Sequence, residues 1–365
     1  MSIASTVYGH VAGLRRSWYV RNPGGRRRLH RPVISVGNLG VGGSGKTPVV
    51  AAVVRLLQAV GERPAILSRG YGRRHNEPGA VVVSDGTRVI ESVSRSGDEP
   101  QMLARALPGV PVVVCADRYL AGRVAEARLG ATVHVLDDGF QHLPLWRDAD
   151  LLLVSAADID DRPLPSGRLR EPLASGRFAD ALLVSGSAEE VDQVAAAIAV
   201  SAVFTIASTP RAPRRVSPFG QPWVSRQGAA DADQPERIRV VAVAGIARPE
   251  RFRATLGNLG WDVVGWLTYD DHHWYGARDV ARIADAARAA GADAIVTTEK
   301  DAVRFEQLVP SSGGVPWVFV PLETAIEPRA PFASWLVGRL AEARAGRAES
   351  APTRPHASPV AGGTA

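Results

Sequence analysis

The run Gly40-Val41-Gly42-Gly43-Ser44-Gly45-Lys46-Thr47 constrains this 365-residue chain more than any other feature. It satisfies G-x-x-x-x-G-K-[ST] in full. Glycines let the backbone curl until successive N–H groups point at phosphate oxygens. The helix that follows adds its positive N-terminal end. In that geometry Lys46 reaches the β- and γ-phosphates of ATP, and the Thr47 hydroxyl reaches Mg2+. Pro48 falls in the first turn of the helix, where its missing N–H costs little. An apolar strand over 33–36 precedes the loop and a helix over 49–60 follows, a setting that argues against a bare glycine-rich turn.

Basic side chains are arginine almost throughout, and Lys46 and Lys300 are the only lysines. A lysine retained in such a chain points to a site that needs a compact ammonium. The formal charge of +6 suits anionic lipid, nucleic acid or phosphorylated substrates without choosing among them. The single cysteine, Cys115, excludes an internal disulfide and fits a reducing compartment. No secretory signal is visible, and no stretch approaches the ~20 apolar residues of a membrane span. The chain is therefore expected not to cross a bilayer, though it can lie on one.

Length predicts about two domains. In the segment 1–31, Ile3, Val7, Val11, Leu14 and Trp18 recur at helical spacing, and Arg15, Arg16, Arg21 and Arg26–Arg28 lie beside or after them. An apolar stripe next to a basic cluster reads as an interfacial helix on an anionic membrane, against a helix packed on the protein body. Residues 32–150 alternate short apolar runs with helical segments, with strands expected at 65–67, 81–83, 110–115 and 132–136. A second set is expected over 151–330, with strands at 151–154, 181–184, 240–244, 263–267, 294–297 and 317–320. The alternation predicts an α/β fold with mainly parallel sheets and helices on both faces. Residues 208–237 read as an irregular or hairpin excursion, 331–345 as a closing helix and 346–365 as a disordered tail.

The strand over 132–136 ends in Asp137-Asp138. A carboxylate at a strand tip beside a phosphate loop is a common second anchor for Mg2+, and a solvated turn before Gly139 is the competing reading. Gly97-Asp98-Glu99-Pro100 opens a helix, with Pro100 expected at its first position. Asp98 and Glu99 there read equally as helix caps or as a general base. Asp271-His272-His273 invites a metal reading, but adjacent side chains do not converge easily on one ion and no cysteines support zinc. A histidine paired with a catalytic carboxylate fits better. His142 can line the same cleft, and a structural histidine competes with both readings.

The motifs taken together are more specific. They are Gly37-Asn38 leading into Gly42–Pro48, then Ser68-Arg69-Gly70-Tyr71-Gly72, Gly97–Pro100 and Asp137–His142. Leu164–Gly167, Leu169–Pro172, Ala244–Ala247 with Pro249 and Arg251-Phe252, Asp271–His273 and Thr298–Val303 complete the series. The sequence resembles the tetraacyldisaccharide 4'-kinase family of lipid A biosynthesis over most of its length. Arg168 stands where the family pattern has proline.

The resemblance implies a P-loop NTPase-type α/β/α domain, a second, smaller α/β/α domain and an N-terminal amphipathic helix. It implies transfer of the ATP γ-phosphate to the 4'-hydroxyl of a tetraacylated glucosamine disaccharide 1-phosphate, a lipid A precursor. The place would be the cytoplasmic side of the bacterial inner membrane, with the protein peripheral and monomeric. Asp98 becomes the base, His272 its orienting partner, and Glu99 and Asp138 join Thr47 as Mg2+ neighbours. Gln141 and Lys300 become nucleotide contacts, while Arg69, His142 and Arg170 join Asp98 on the substrate side. The main rival is a nucleotide-dependent switch or metallochaperone with His272 and His273 handling a metal. A nucleic-acid-binding ATPase ranks below it, because no aromatic-interleaved basic motif is present.

Overall fold

The structure, a computed structural model, describes residues 2–43, 45–75, 78–225 and 237–349. Its strands are β1 (Val33–Asn38), β2 (Pro64–Ser68), β3 (Val81–Asp85), β4 (Pro111–Val114), β5 (Val133–Asp137), β6 (Ala149–Ser155) and β7 (Ala181–Ser185). Then follow β8 (Val203–Pro210), β9 (Arg214–Arg215), β10 (Arg239–Ala244), β11 (Asp262–Thr268), β12 (Ala294–Thr298), β13 (Trp317–Val320) and β14 (Leu322–Glu327). The helices are α1 (Ile3–Arg21), α2 (Lys46–Ala59), α3 (Val93–Ser96), α4 (Asp98–Ala106) and α5 (Arg118–Arg128). They continue with α6 (Ala188–Ile198), α7 (Pro249–Asn258), α8 (Ala277–Ala289), α9 (Glu299–Phe305) and α10 (Arg329–Glu349).

Two sheets organise the chain. The first has the order β14-β8-β7-β6-β1-β5-β2-β4-β3. Its interior is parallel, and β3 and β14 close the edges antiparallel. Strand β1 is buried along its whole length, which is why it reads as a continuous apolar run and not an alternating one. The second sheet, β11-β10-β12-β13-β9, is parallel apart from β9. In open α/β sheets ligands bind beyond the carboxyl ends of the strands. Here the loops after β1 and β5 meet those after β10 and β12 across a cleft.

The chain partitions differently from the expected boundary at 150/151. Strands β6 and β7, expected in the second domain, pair into the first sheet, Ile34 against Ala149 and Leu151 against Ala181. Strand β8 extends the same sheet through 208–210, where an irregular or hairpin excursion was expected, and β14 pairs with it antiparallel. Helix α10 then packs Phe332, Leu336 and Leu340 into the first core. Local pattern reports that a strand is apolar but not which sheet receives it. Helix α10 is longer than the expected 331–345 and covers 346–349 of the expected tail. Residues 350–365 of that tail, and 226–236 of the expected excursion, lie outside the described residues.

Helix α1 rests on the body through one narrow face. Ser5, Gly9 and Arg16 are buried. A Cβ on Gly9 would meet the Pro163 ring at 3.2 Å, and Ser5 Oγ accepts from the Ser166 N–H at 3.0 Å. The apolar stripe faces outward: Ile3 is 84% exposed, Val11 60% and Leu14 68%. The helix is thus packed on the body through its other face, as the alternative reading expected, while its apolar stripe is left exposed. Among the described residues no helix is long and apolar enough to cross a membrane.

Candidate active site

The phosphate loop leaves the end of β1. Gly42 and Gly45 sit at φ +82° and +79°, a left-handed conformation that glycine adopts without steric cost. Gly45 caps α2 with no side chain, so the first N–H groups of α2 are left to face the cleft. Val41, Gly42, Gly43, Gly45, Lys46 and Thr47 line a cavity of roughly 1070 Å³. Gly40 stands outside that lining and bridges to Leu169. Ser44 lies outside the described residues. Lys46 Nζ donates to Asn38 Oδ1 at 3.0 Å and lies 3.5 Å from Asp138 Oδ1.

Strand β5 delivers the two aspartates. Asp137 Oδ2 accepts from Ser68 Oγ at 3.1 Å, and Oδ1 has no hydrogen-bond partner among the described residues. Burial and the nearby charges of Glu99 and Asp138 push the Asp137 carboxyl up to about 7. For Asp138, burial pushes upward, but Lys46 and Arg170 outweigh it and hold the group below the usual carboxylate range. Arg170 Nη1 donates to Asp138 Oδ2 at 2.7 Å and to Gln141 Oε1 at 3.2 Å. Gln141 Nε2 donates in turn to the Asn38 carbonyl at 2.9 Å.

The raised Asp137 pKa has a consequence for stability. The unfolded chain loses this proton near the ordinary carboxylate value, while the folded protein holds it to about 7. Stability therefore falls as pH rises through that window. Asp137→Asn removes the effect. Its thermal midpoint relative to the parent, both ligand-free, should climb between about pH 5 and about pH 8. A difference independent of pH would refute this assignment.

The opposite wall comes from both lobes. Asp98 is the first residue of α4 and Gly97 its cap, so Pro100 occupies the third helical position and not the expected first. Gly97 sits at φ +89°, and a Cβ there would meet the Tyr71 carbonyl at 2.7 Å. The Ser68–Gly72 turn and the start of α4 are thus locked together. Asp98 is buried. Its Oδ2 accepts from Arg304 Nη2 and lies 3.1 Å from His272 Nδ1 and 3.6 Å from Lys300 Nζ. Its Oδ1 has no hydrogen-bond partner among the described residues.

Lys300 Nζ lies 3.2 Å from His272 Nε2 and 3.0 Å from Asp271 Oδ1. An ammonium and a guanidinium only donate, and Arg304 Nη2 lies 3.1 Å from His272 Nδ1, so the imidazole stands between two cationic donors with Asp98 Oδ2 beside Nδ1. Burial pushes the Asp98 carboxyl up, but the His272 hydrogen bond and the charges of Lys300 and Arg304 bring it down to about 2. For Lys300, burial works downward and the carboxylates of Asp98, Glu99 and Asp271 prevail, raising it.

His272, Lys300, Glu99, Arg69, Arg170 and His142 all line the cavity, while Asp98 sits immediately behind this wall. Burial and the charges of Arg118 and Arg147 push His142 down to about 3, so it is neutral at physiological pH. His273 diverges from His272 and pairs with Asp279 at the start of α8, 3.2 Å away. The two histidines do not share an ion site. Among the described residues no group of three or more His, Cys, Asp or Glu side chains forms a metal cage. The donors at the loop nevertheless suit a hard cation that keeps phosphate and water ligands: the Thr47 hydroxyl, the nearby carboxylates and the unpartnered Asp137 oxygen.

Sequence reasoning passed over Arg304 and named Arg251 only as a motif residue, with no role. Arg304 follows Lys300 by four residues on α9, the spacing that places both on one helix face. Arg251 Nη1 donates to the Gly43 carbonyl at 3.3 Å, joining the second lobe to the phosphate loop.

A phosphate loop on a central parallel strand, an acidic strand tip beside it and a cavity-lining imidazole backed by a buried carboxylate define a kinase of the P-loop α/β/α class. A profile of the tetraacyldisaccharide-1-P 4'-kinase family matches residues 1–341, and the chain belongs to that family. The tetraacyldisaccharide 4'-kinase of Geobacter metallireducens is 41% identical over 342 residues, covering 90% of this chain and 96% of that protein. The tetraacyldisaccharide 4'-kinase of Syntrophus aciditrophicus is 39% identical over 344 residues, covering 91% and 90%. The crystal structure of "apo" form LpxK from Aquifex aeolicus in complex with ATP is similar at a TM-score of 0.71 and 31% identity. That match covers 92% of this chain and 97% of the other. Membership in a kinase family displaces the switch and metallochaperone reading.

Proposed function

We propose that this chain transfers the γ-phosphate of ATP to the 4'-hydroxyl of a tetraacylated glucosamine disaccharide 1-phosphate, at the cytoplasmic surface of a bacterial inner membrane. The observation that carries the reading is convergence. The phosphate loop and the His272–Lys300 wall, with Asp98 behind it, border one cavity although they come from different sheets.

The loop backbone, Lys46 and the start of α2 hold the phosphates. Gln141 and Arg170 fix the Asp138 side of the site, and Lys300 completes it from the second lobe. Thr47, Asp138 and Glu99 would hold Mg2+, which when bound supplies charge neutralisation between the β- and γ-phosphates. Asp98, oriented by His272, receives the proton of the attacking hydroxyl. A carboxyl held at about 2 is a weak base, and a loose phosphoryl-transfer transition state tolerates one because the proton leaves late. Arg69, His142 and Arg170 face the acceptor.

The test is incubation with labelled ATP, Mg2+ and the tetraacyldisaccharide 1-phosphate, followed by tandem mass spectrometry of the lipid. Phosphate on the 4'-oxygen is expected. Phosphate elsewhere on the sugar, or none, removes this reading.

Helix α1 places the protein on the membrane in this account. Its exposed stripe offers apolar area to lipid while Arg15, on the same helix, lines the cavity. An acceptor whose acyl chains stay in the bilayer is thereby brought to the site. Replacing Val11 and Leu14 with Asp should lower partition into anionic vesicles by roughly tenfold or more. Unchanged co-sedimentation would count against the interfacial role.

A further inference from the structure

The one arginine of α1 that faces wholly inward does something an anchor does not need. Arg16 is 2% exposed. Its guanidinium grips Glu171 in a fork, Nε to Oε2 at 2.5 Å and Nη2 to Oε1 at 2.7 Å. Nη2 also donates to the Phe140 carbonyl at 2.8 Å, and the group lies 4.1 Å from the centre of the Phe140 ring. Both partners belong to segments that build the phosphate site.

Glu171 follows Arg170, the residue that holds Asp138 and Gln141. The same segment is bonded to the phosphate loop by its backbone. The Arg170 N–H donates to the Leu39 carbonyl at 2.7 Å, and the Val41 N–H donates to the Arg168 carbonyl at 2.8 Å. Phe140 lies between Asp138 and Gln141, and Asp138 is itself held at φ +55°, a conformation costly for a residue with a Cβ. Arg16 therefore bridges the two chain segments whose spacing sets where Asp138 and Arg170 stand. A buried charge pair has a desolvation cost that only good geometry and full hydrogen bonding offset. The fork-shaped guanidinium provides both here.

We propose that Arg16 is a positioning residue for the nucleotide site: by holding Glu171 and the Phe140 carbonyl together it fixes Arg170 and Asp138 beside the phosphate loop. Helix α1 is then part of the phosphate-transfer apparatus as well as the face turned to lipid. The inference rests on residues 42–47 being the ATP site.

The experiment uses the full chain and three variants: Arg16→Lys, Arg16→Met, and Arg16→Met combined with Glu171→Met. The readouts are the ATP dissociation constant, kcat and KM for each substrate, the thermal midpoint and partition into anionic vesicles. Arg16→Met should weaken ATP binding by roughly tenfold, because the phosphate-site charges lose their register. Vesicle partition should stay within about twofold of the parent, since Arg16 does not reach the lipid-facing side, while lipid KM should rise with the displaced Arg170. Arg16→Lys keeps the charge without the fork and should fall between.

The double variant removes the unpaired carboxylate. It should recover thermal stability while ATP binding stays weak, which separates positioning from folding. Recovery of parental ATP affinity in the double variant would overturn the proposal. So would loss of vesicle binding with ATP affinity intact. A parent protein that binds no ATP would overturn it together with the functional reading beneath it.

Discussion

Lys46→Ala should reduce phosphate transfer by about a thousandfold or more, the largest single loss expected in this protein. The ammonium stands at the first position of α2, 3.0 Å from Asn38 Oδ1 and 3.5 Å from Asp138 Oδ1. It is aimed at the cleft from a helix whose first N–H groups have no capping side chain. Charge that spreads onto the transferring phosphoryl oxygens would meet this cation, whose side chain is 13% exposed, where such an interaction is worth more than in bulk water. Arginine is an inadequate replacement, because its longer planar group cannot act as a point charge in the loop. Lys46→Arg should therefore recover little. The check is steady-state turnover together with a thermal midpoint. Near-parental turnover in Lys46→Ala, with the fold intact, would take the loop out of the mechanism.

Asp98→Asn should lower kcat by roughly 10²–10⁴-fold while leaving ATP binding within a few-fold of the parent. The amide keeps the shape but cannot take a proton, and it no longer neutralises Arg304 and Lys300. Loss of one partner from so buried a pair should also cost on the order of 3 kcal/mol of stability. The kinetic and structural effects are separable. An unfolding effect lowers the active fraction and scales every rate equally, whereas loss of the base lowers kcat at saturating ATP in the fully folded population. An equal loss of kcat and ATP affinity would assign Asp98 a structural role. Because Asp98 is held at about 2, an acid limb in the pH–rate profile near 4–6 cannot be assigned to it.

The sequence made the phosphate loop plain because its chemistry is local. Eight consecutive residues fix backbone curvature, cation and hydroxyl in one stretch. The pairing of Asp98 with His272 was reachable only through the resemblance, since they stand 174 positions apart and no periodicity connects them. Arg304 went unread for a related reason. An arginine on a charge-rich helix looks like a solvated residue until the other lobe supplies a buried carboxylate. The metal reading of His272 and His273 dissolves in the structure because adjacent residues turn to different partners, Asp98 and Asp279.

Strand identity was legible and strand allegiance was not. The apolar run at 151–154 reads as β structure in either sheet, and only its pairing with β1 assigns it. Strand β14 alternates buried and exposed residues and lies at an edge, so its apolar signal is half that of a central strand. Helix α1 shows the reverse case. Its stripe was visible at once, yet the more consequential residue was Arg16 on the other face, which the sequence offered only as one of several arginines.

The most direct test of the central claim is the stoichiometry of ATP consumed to phosphate gained by the lipid, measured with and without the tetraacyldisaccharide acceptor. If one cavity delivers the nucleotide to the acceptor hydroxyl, ATP loss and lipid phosphorylation should rise together at close to one to one, and ATP loss should be slow when the acceptor is absent. Rapid hydrolysis without acceptor, with no phosphate on the lipid, would contradict the account.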